Sequence, residues 1–473
     1  MDKRTSKLYN KSSKHFKLVD ALRFFPTIDT RTLSSLIDGS VPTVYSCLRD
    51  LKEEHILVNV NNTGEKCIII PEYAYFLGIS IGASICKAAI INMNFDLVEK
   101  IHIKAQLINV CHSLKEVLTK YDSEDLLEKC TSSINDENDI NNYIYFNTPA
   151  QLSVLKSAID RLVRVFTATD SPLKIRGIGI STTGLVNYKS QEIVTASNLK
   201  YLEGQSKDSL LNTALKEYLI EKGITTCLIQ NTNASVIAEK CFLLSDKNQD
   251  SQFRHAKNVA SLYLGVGLGV GLCLNGKIYY GNSGYSGEIG HIPVPVIDNY
   301  FEISKEKLKK QKISIKDTDL VCTCGRRNCY DHMIRKNVFY KSAQAFRNMS
   351  TDDICKLISS TWGNDDDKKF AAERRLLLGQ YLGGMISTLI NLLNLDVIVL
   401  SGKLYKMDRL LLESINMTLD DFCIATNRKQ CSIIFSNKGT LSAAIGAAIY
   451  SYYDHFGQEL SWDFDLNYEM NKS

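Results

Sequence analysis

One histidine and three cysteines have the residue types and spacing of a metal site. Cys322, Cys324 and Cys329 fall within eight residues of one another, and Gly325 permits a tight turn between them. With His291 they offer one imidazole nitrogen and three thiolates, a tetrahedral donor set that suits zinc. The alternative is that the cysteines are ordinary reduced thiols and that the histidine belongs to the core. Their close spacing favours zinc, and four protein ligands would leave no open position, so that Zn²⁺ would be structural.

A glycine-rich stretch precedes this cluster. Residues 261–281 alternate small and apolar side chains, which predicts a buried β-hairpin. Glycines in it would let the backbone approach a ligand. These glycines are Gly265, Gly267, Gly269 and Gly271. Glu288 follows shortly afterwards, and a carboxylate can accept hydrogen bonds from two adjacent hydroxyls.

Together these motifs resemble the ROK family, which takes its name from repressors, open reading frames and sugar kinases. The glycine hairpin, the Gly-Glu-Ile-Gly-His segment at 287–291 and the cysteine knuckle at 322–329 carry the resemblance, which extends from about Leu77 to Tyr453. In the knuckle, Asn328 stands where the family has Gly, and Asp331 stands where it has Glu. The resemblance implies the two-lobed actin-like ATPase fold of sugar kinases and Hsp70, an α/β fold with a mixed sheet in each lobe.

Four positions depart from the pattern of ROK sugar kinases, and all four serve ATP or catalysis there. They are Ser80, Ala83, Asn231 and Val266. The kinases have an acid at the position of Ser80 and the general base, an Asp, at the position of Asn231. An amide can hydrogen-bond a sugar hydroxyl, but it lacks the basicity to take its proton during phosphoryl transfer. We therefore expect no catalytic residue, and a site that binds a sugar or sugar phosphate without phosphorylating it.

The resemblance also implies a set of sugar-contacting residues. They are Gly184, Asn198, Gln230, Asn231, Glu288, His291 and Asp331. His291 would bind zinc through one ring nitrogen and leave the other for the sugar, so the metal would orient the ligand-binding side chains. Asp331 is one methylene shorter than the usual Glu, which reduces its reach.

The first 76 residues predict three helices and a hairpin. Apolar side chains recur at helical spacing over 15–25, and capping residues precede two further segments, 31–37 and 41–54. Residues 56–60 and 67–70 are two short apolar runs around a polar tip. Two short helices joined by a turn that contains glycine are typical of a helix-turn-helix, and the hairpin would be its wing.

The third helix and the wing carry the side chains that we expect to contact DNA. They are Ser40, Thr43, Tyr45, Ser46, Arg49 and Lys66. Polar and Arg side chains on such a helix can reach base edges and phosphates. Regulatory ROK proteins carry a winged helix in this position, although their usual Gly-Arg wing tip is here Gly64-Glu65-Lys66. A three-helix unit for protein contact is the alternative.

Composition narrows the class of protein. The 473 residues exceed a single core, and 44% hydrophobic with 23% charged residues are typical of soluble globular proteins. The N-terminus lacks the apolar core of a signal peptide, and no apolar run approaches the ~18 residues of a membrane span, so we expect none. The 14 cysteines are mostly scattered, which suits a reducing cytoplasm. The basic residues of the first 17 positions suit either nucleic acid or a solvated tail.

These observations predict a four-part chain. The parts are a winged helix-turn-helix domain at 1–76, a first lobe at 77–200 with an insertion at about 105–148, a second lobe at 201–453 with the zinc knuckle and an insertion at about 295–320, and a tail at 454–473. The functional hypothesis is a sugar-responsive repressor that binds a duplex operator as a homodimer or homotetramer, with no membrane contact. A sugar kinase with an added N-terminal domain and a regulator acting by protein contact alone are the alternatives.

Overall fold

The chain, described here from a computed structural model, divides into two compact units. Unit 1 comprises residues 1–257, 272–284 and 441–473, and unit 2 comprises residues 258–271 and 285–440. The structure describes residues 8, 13–26, 28–60, 66–82, 86–98, 108–109, 149–169, 171–197, 199–245, 251–265, 267–294, 322, 324–326, 328–334, 338, 365–407 and 409–462.

Three helices and a small hairpin form the N-terminal part of unit 1. They are α1 (Lys14–Phe24), α2 (Thr30–Leu36), α3 (Val41–Glu53), β1 (Leu57–Asn59) and β2 (Cys67–Ile69), with β1 and β2 antiparallel. Ser13, Asp29 and Ser40 cap the three helices by accepting hydrogen bonds from backbone N–H groups of the first turns, which have no partner within the helix. The predicted helices and strands are confirmed to within one residue at each end.

A five-stranded mixed sheet is the centre of unit 1. Its strands are β3 (Tyr75–Ile81), β4 (Cys86–Ile91), β5 (Ile108–Asn109), β6 (Ile175–Thr182) and β9 (Thr225–Gln230), in the order β5-β4-β3-β6-β9. β3, β4 and β5 pair antiparallel, whereas β6 pairs parallel with both β3 and β9. Every residue of β3 is buried, as expected of a strand covered on both faces.

Five further helices and a second hairpin belong to the described part of unit 1. They are α4 (Pro149–Thr167), α5 (Thr213–Glu221), α6 (Asn231–Ser245), α7 (Ser251–Arg254), α12 (Ser442–Phe456) and the antiparallel pair β7 (Leu185–Asn187) and β8 (Glu192–Thr195). α6 begins at the residue that follows the end of β9. Its first turn therefore lies where the parallel strands β3, β6 and β9 end.

Helix α12 lies against the sheet and against α6 with almost no side chain between the backbones. A Cβ atom at Gly78 in β3 would collide with the carbonyl of Ala444, and one at Gly179 in β6 would collide with that of Ala447. Within α12, a Cβ at Gly446 would collide with the carbonyl of Ala234 in α6. Glycine is therefore required at these contacts, which hold α12 close to its neighbours.

A second mixed sheet repeats the topology of the first. Its strands are β10 (Val259–Leu264), β11 (Leu268–Leu274), β12 (Lys277–Ile278), β13 (Val397–Gly402) and β14 (Ser432–Phe435), in the order β12-β11-β10-β13-β14. As in unit 1, three strands consecutive in the chain are followed by two parallel ones. The predicted glycine hairpin is β10 and β11, and the chain passes from unit 2 to unit 1 within β11.

Unit 2 also contains four described helices. They are α8 (Tyr330–Met333), α9 (Asp365–Leu393), α10 (Arg409–Phe422) and α11 (Ala425–Gln430). Residues Ala371–Leu393 of α9 are long and apolar enough to cross a membrane by composition alone, which differs from the sequence expectation. More than half of this segment is buried, and Gly379 and Gly383 let α9 pack directly on Ser414 and Thr418 of α10. These contacts are those of a core helix.

The units do not follow the linear order of the predicted lobes. Residues 201–257, expected in the second lobe, lie in unit 1, as do residues 441–453. The expected tail at 454 also begins later, because α12 continues to Phe456 and Trp462 is buried. The chain leaves unit 1 and returns to it, and a linear division cannot represent that path. The insertion at 295–320 lies outside the described residues, as does the one at 105–148 except for β5.

Candidate functional site

The structure brings the four predicted metal ligands together in unit 2. One donor atom each from His291, Cys322, Cys324 and Cys329 lie within 4.8 Å of one another. The Cys324 and Cys329 sulfurs are 3.6 Å apart, and the Cys322 sulfur is 3.6 Å from His291 Nδ1. Two sulfurs that are each about 2.3 Å from a tetrahedral zinc lie about 3.7 Å from each other. The donor spacing therefore fits a zinc ion.

Hydrogen bonding distinguishes the thiols of this cluster. Burial would raise the pKa of Cys322, but its hydrogen bond with His291 contributes to a net lowering of that pKa to about 6. Burial raises the pKa of Cys329 to about 12, and its neighbours Cys324 and Cys322 add to the shift. A bound metal would require all three as thiolates. The cluster already contains one cysteine whose thiolate is stabilised by the imidazole.

His291 connects the metal cluster to the acid predicted to bind sugar. Its Nδ1 faces Cys322, and its Nε2 lies 3.7 Å from a carboxylate oxygen of Glu288. The Cys322 hydrogen bond raises the pKa of the imidazole, burial opposes it, and Asp331 and Glu288 add to the rise. One ring nitrogen thus points to the cysteines and the other to a half-exposed carboxylate, as a metal ligand oriented by its second nitrogen would be.

Glycines position the segment that carries Glu288 and His291. A Cβ at Gly287 would collide with the carbonyl of Val270, and one at Gly290 would collide with that of Leu268, both in β11. The segment therefore lies directly on β11. In the knuckle, Asn328 has φ +59°, a conformation that asparagine tolerates better than most residues. This explains how Asn328 can occupy a position where the family pattern has Gly.

Asp331 is buried and hydrogen-bonded within the protein, unlike a side chain that faces solvent and can contact a sugar. Its side chain is buried in α8, and one carboxylate oxygen accepts a hydrogen bond of 2.9 Å from the backbone N–H of Leu268. The carboxylate thus holds the start of β11. Its predicted contact with sugar stays a prediction.

In unit 1, the two residues that the resemblance aligns with kinase carboxylates are hydrogen-bonded to each other. Ser80 Oγ donates a hydrogen bond of 3.1 Å to Asn231 Oδ1. Asn231 Nδ2 also donates to the carbonyl of Ile81, at 3.2 Å. Both side chains are buried. The amide is therefore held by two hydrogen bonds and keeps one N–H for a further acceptor.

The other predicted sugar contacts in unit 1 are only partly described. Gln230 is buried at the end of β9, next to Asn231. Gly184 has φ +97° in the turn between β6 and β7, where a side chain would collide with the carbonyl of Thr195. Asn198, like Ala83 and Val266, lies outside the described residues.

Sequence reasoning missed several polar groups near Asn231. Thr183 follows β6, and its backbone N–H donates to the carbonyl of Ile81 at 3.2 Å, the same carbonyl that Asn231 contacts. Thr232 and Asn233 continue the first turn of α6. Lys87 of β4 is paired directly opposite Ser80 of β3. The sequence could have indicated the position of Lys87 only through the register of the antiparallel strands β3 and β4.

On the N-terminal part, the predicted DNA contacts are partly exposed and partly used for structure. Tyr45, Ser46, Arg49 and Lys66 are exposed. Ser40 and Thr43 instead form a capping box at the start of α3. The face of α3 that carries Tyr45 and Arg49 is available to a partner.

Helix α1 contacts both α3 and the core of unit 1. On one side, His15 Nε2 is 3.0 Å from an Asp50 oxygen in α3. On the other, Arg23 forms an ion pair with Asp20, and Asp20 accepts a hydrogen bond of 2.7 Å from Tyr453 of α12. Burial raises the pKa of the Asp20 carboxyl, while the charge of Arg23 and the bond from Tyr453 lower it. α1 is therefore part of the buried core around α12.

Comparison with known proteins establishes the family. A sequence model of the ROK family matches residues 130–452, which is more than half of the chain. The chain belongs to the ROK family. The resemblance inferred from the glycine and cysteine motifs is thereby confirmed.

The curated relatives of this ROK protein include sugar-named repressors. It is 25% identical over 278 residues to the xylose repressor of Bacillus subtilis (strain 168), covering 58% of this chain and 61% of that protein. It is 26% identical over 242 residues to the N-acetylglucosamine repressor of Escherichia coli O157:H7, covering 50% and 52%. The chain thus spans between about half and three fifths of the length of these relatives.

Solved ROK structures show the fold. A ROK family transcriptional regulator, a homologue of the E. coli MLC protein, matches with a TM-score of 0.59 and 18% identity, over 93% of this chain and 98% of that one. A ROK family glucokinase from Streptomyces griseus, in complex with glucose and AMPPNP, matches with a TM-score of 0.52 and 14% identity, over 80% and 99%. The α/β fold of sugar kinases is thus confirmed, and it is shared by a regulator and an enzyme.

Proposed function

We propose that this protein is a sugar-responsive transcriptional repressor that binds its sugar without phosphorylating it. The hydrogen bond between Ser80 and Asn231 carries the proposal. In a ROK kinase these positions would hold the carboxylates that serve the metal–nucleotide and the proton transfer. Here both are neutral and bonded to each other, so neither offers a carboxylate for Mg²⁺ and neither can act as a general base. Binding of hydroxyl groups remains possible, because amides and hydroxyls are good hydrogen-bonding groups.

The N-terminal part would be a winged helix-turn-helix that binds duplex DNA. α2 and α3 with the turn between them have the size of a helix-turn-helix, and β1 with β2 would form the wing. The exposed side chains of Tyr45, Ser46 and Arg49 on α3 suit contacts with bases and phosphates. The two curated relatives described above are repressors, which supports this assignment. We propose a cytoplasmic homodimer or larger oligomer, since an operator with two-fold symmetry is bound by two copies of a DNA-binding domain.

A structural zinc would connect the knuckle to the sugar site. His291, Cys322, Cys324 and Cys329 would hold the ion, which contributes positive charge and fixed geometry rather than chemistry. These residues would keep His291 Nε2 directed to Glu288. Removal of the metal would therefore reduce sugar affinity as well as stability.

The test of catalysis combines turnover with binding. Purified protein would be mixed with ATP, Mg²⁺ and D-glucose, D-xylose, N-acetyl-D-glucosamine or their phosphates, while ADP release and calorimetric binding are both measured. We expect binding of at least one compound and no ADP above the sugar-free background. Sugar-dependent ADP release at rates of a kinase, on the order of 1 s⁻¹ or faster, would overturn the proposal.

DNA binding is tested with duplexes selected from a random library. Arg49→Ala is expected to weaken binding of the selected duplex by on the order of 10-fold and to flatten its dependence on salt, because an arginine contact is lost. Arg409→Ala is the matched control, since Arg409 is a strongly exposed arginine of α10 in unit 2. Failure to select any duplex, or equal effects of the two variants, would contradict DNA binding through α3.

A further inference from the structure

The three cysteines of the knuckle differ in how far solvent reaches them. Cys322 is 3% exposed and Cys329 is 1% exposed, whereas Cys324 is only half-buried. A small oxidant in solution therefore reaches the Cys324 sulfur before it reaches the other two. Among the described cysteines outside the knuckle, all are buried except Cys423, which is half-buried as well.

Backbone hydrogen bonds hold Cys329 in place without help from a metal. On one side of it, the Val294 N–H donates to the carbonyl of Asn328 at 2.8 Å. On the other side, the Tyr330 N–H donates to the carbonyl of Ile292 at 3.2 Å. Cys329 is thus paired with a neighbouring segment through its own backbone. Its sulfur therefore stays in nearly the same place when the side chains around it react.

Cys324 lies in a loop that has room to move. The loop is closed by two hydrogen bonds of 2.8 Å, from Gly325 N–H to the carbonyl of Cys322 and from Cys322 N–H to the carbonyl of Arg326. Gly325 has φ +81°, and no described atom lies within 4 Å of the position that its Cβ would take. A small displacement of Cys324 therefore meets no packed neighbour on this side of the loop.

The sulfurs of Cys324 and Cys329 need only a short movement to form a bond. They are 3.6 Å apart. A disulfide requires about 2.05 Å, so the movable Cys324 sulfur must advance by about 1.6 Å. The turn between the two cysteines contains Gly325 and Asn328, both with positive φ, which brings the ends of the turn together.

Cys322 is less suited to pair with Cys324. Only one residue separates these two cysteines in the chain, so a disulfide between them would close a small ring. The Cys322 sulfur also lies 3.6 Å from His291 Nδ1, with which it forms a hydrogen bond. Cys324 and Cys329 are therefore the pair that the geometry favours.

We propose that Cys324 and Cys329 form a reversible disulfide when the protein meets a hydroperoxide, and that this bond releases the metal of the knuckle. The Cys324 thiolate attacks one oxygen of H₂O₂, the O–O bond breaks, and hydroxide leaves a sulfenic acid on Cys324. The Cys329 thiolate then attacks the Cys324 sulfur, the S–O bond breaks, and a second hydroxide leaves. Two thiolates have lost two electrons and the peroxide has gained them, and both hydroxides take protons from solvent to become water.

The disulfide removes two of the four proposed zinc ligands. Cys322 and His291 remain, and two protein ligands are too few for a structural zinc site, which has four. The inference rests on the zinc site proposed above, and it adds a response to oxidants at that site. Because the same ligands direct His291 to Glu288, oxidation would also loosen that contact.

Metal release and disulfide mapping test the inference on the zinc-loaded full chain. The protein is treated with H₂O₂ while a chromogenic chelator reports free zinc, and remaining thiols are then blocked with N-ethylmaleimide. We expect the loss of about one zinc per chain. Trypsin cleaves after Arg326, so the expected disulfide joins two peptides, and fragmentation of the joined peptides distinguishes Cys324 from Cys322. Dithiothreitol with added zinc is expected to restore the thiols and the bound metal.

A variant separates metal binding from oxidation. Cys324→His keeps a donor that suits zinc but cannot form the disulfide, so it is expected to retain its zinc under the same treatment. Cys423→Ser is the matched control, because Cys423 is the half-buried cysteine outside the cluster, and it is expected to lose zinc as the parent protein does. Unfolding temperatures near that of the parent protein would show that each variant is folded.

The outcomes separate the redox response from the zinc site itself. Zinc that stays bound while peroxide oxidises Cys423, or a disulfide between a different pair, would overturn the inference and leave the zinc site standing. Zinc loss from Cys324→His as fast as from the parent protein would also overturn it. A parent protein without zinc would overturn both, and the repressor proposal would stand in every case. If Cys324→His binds no zinc at all, the disulfide map of the parent protein decides.

Discussion

At the scale of single residues, Ser80 and Asn231, which the resemblance aligns with two acids of the kinases, bond each other. Two carboxylates at the distance that separates Ser80 from Asn231 would repel unless a cation or a proton lay between them. A hydroxyl and an amide in the same places attract each other. The hydrogen bond between Ser80 and Asn231 therefore connects the end of β3 to the start of α6 without a metal ion.

The Ser80–Asn231 bond makes a testable prediction about coupling. In urea unfolding, Ser80→Ala and Asn231→Ala are expected to be non-additive, with an interaction energy of about 1 kcal/mol, the net value of a typical buried hydrogen bond. Ser245→Ala, at the far end of α6, is the control and should combine additively with Ser80→Ala. Strict additivity of the first pair would mean that the bond contributes nothing.

Residue types were predictable from the sequence here, but their partners were not. Spacing alone selected Cys322, Cys324 and Cys329, because three thiols in a short loop have few other uses, and the structure confirms their convergence with His291. By contrast, Ser80 and Asn231 are 151 positions apart, and nothing local in the sequence links them. The buried hydroxyls of Thr183 and Thr232 carry no motif, since threonine at a strand or helix end has many structural uses.

At the scale of elements, α12 is defined by backbone contacts through glycine. In an isolated helix, Gly446→Ala would favour folding by about 1 kcal/mol. Here the added methyl group would collide with the carbonyl of Ala234, so α12 must move away from α6. Helix propensity favours alanine at this position, whereas the close contact between α12 and α6 requires glycine. We expect packing to have the larger effect on stability.

We expect Gly446→Ala to destabilise unit 1 by more than ~3 kcal/mol, beyond the usual range for an overpacked core. Thermal and urea unfolding would measure the loss. Gly457→Ala is the control: Gly457 has φ +65° with open space around its Cβ position, so only backbone strain of roughly 1–2 kcal/mol is expected. Equal effects of the two variants would show that α12 can shift without loss.

The knuckle makes a second prediction at this scale. Cys329→Ser is expected to reduce bound zinc, measured by atomic emission on the purified protein, from about one ion per chain to none, and to lower the unfolding temperature. Cys423→Ser is the matched control, because Cys423 is a half-exposed free cysteine outside the cluster. An unchanged zinc content in Cys329→Ser, or no zinc in the parent protein, would contradict a zinc site at these four residues.

The sequence predicted the bounds of these helices and strands much better than it predicted the division of the chain into two units. Caps and apolar periodicity located α1, α2 and α3 to within one residue, because these signals are local. The assignment of residues 201–257 and of α12 to unit 1 depends on which strands pair and on contacts such as that of Gly78 with Ala444. Such contacts leave no local pattern beyond the presence of glycine.

At the scale of the whole molecule, α1 joins the proposed DNA-binding part to α12, the helix that packs on the five-stranded sheet of unit 1. Phe16 of α1 packs with Tyr452, Tyr453 and Phe456 of α12. The Arg23 guanidinium lies over the Tyr452 ring, 4.4 Å from its centroid. A change at the first turn of α6 can therefore reach α1 through α12, which contacts both.

These contacts predict that residues 1–76 do not fold independently. Without α12, the fragment would expose Phe16 and leave the Asp20 carboxylate without its hydrogen bond from Tyr453. We expect the isolated fragment to lack a cooperative thermal transition and to bind selected DNA at least ~100-fold more weakly per site than the full chain, since only the folded fraction binds. A fragment that unfolds cooperatively and binds as tightly as the full chain would refute this prediction.

The contact between α1 and α12 also sets an order of events during synthesis. α1 emerges from a translating ribosome more than 400 residues before α12. Until Phe456 has left the exit tunnel, the apolar face of α1 and its buried charge pair have no partner, although N-terminal segments otherwise tend to fold first. Incomplete chains would thus lack the proposed DNA-binding surface. A prematurely terminated chain would therefore not bind the proposed operator.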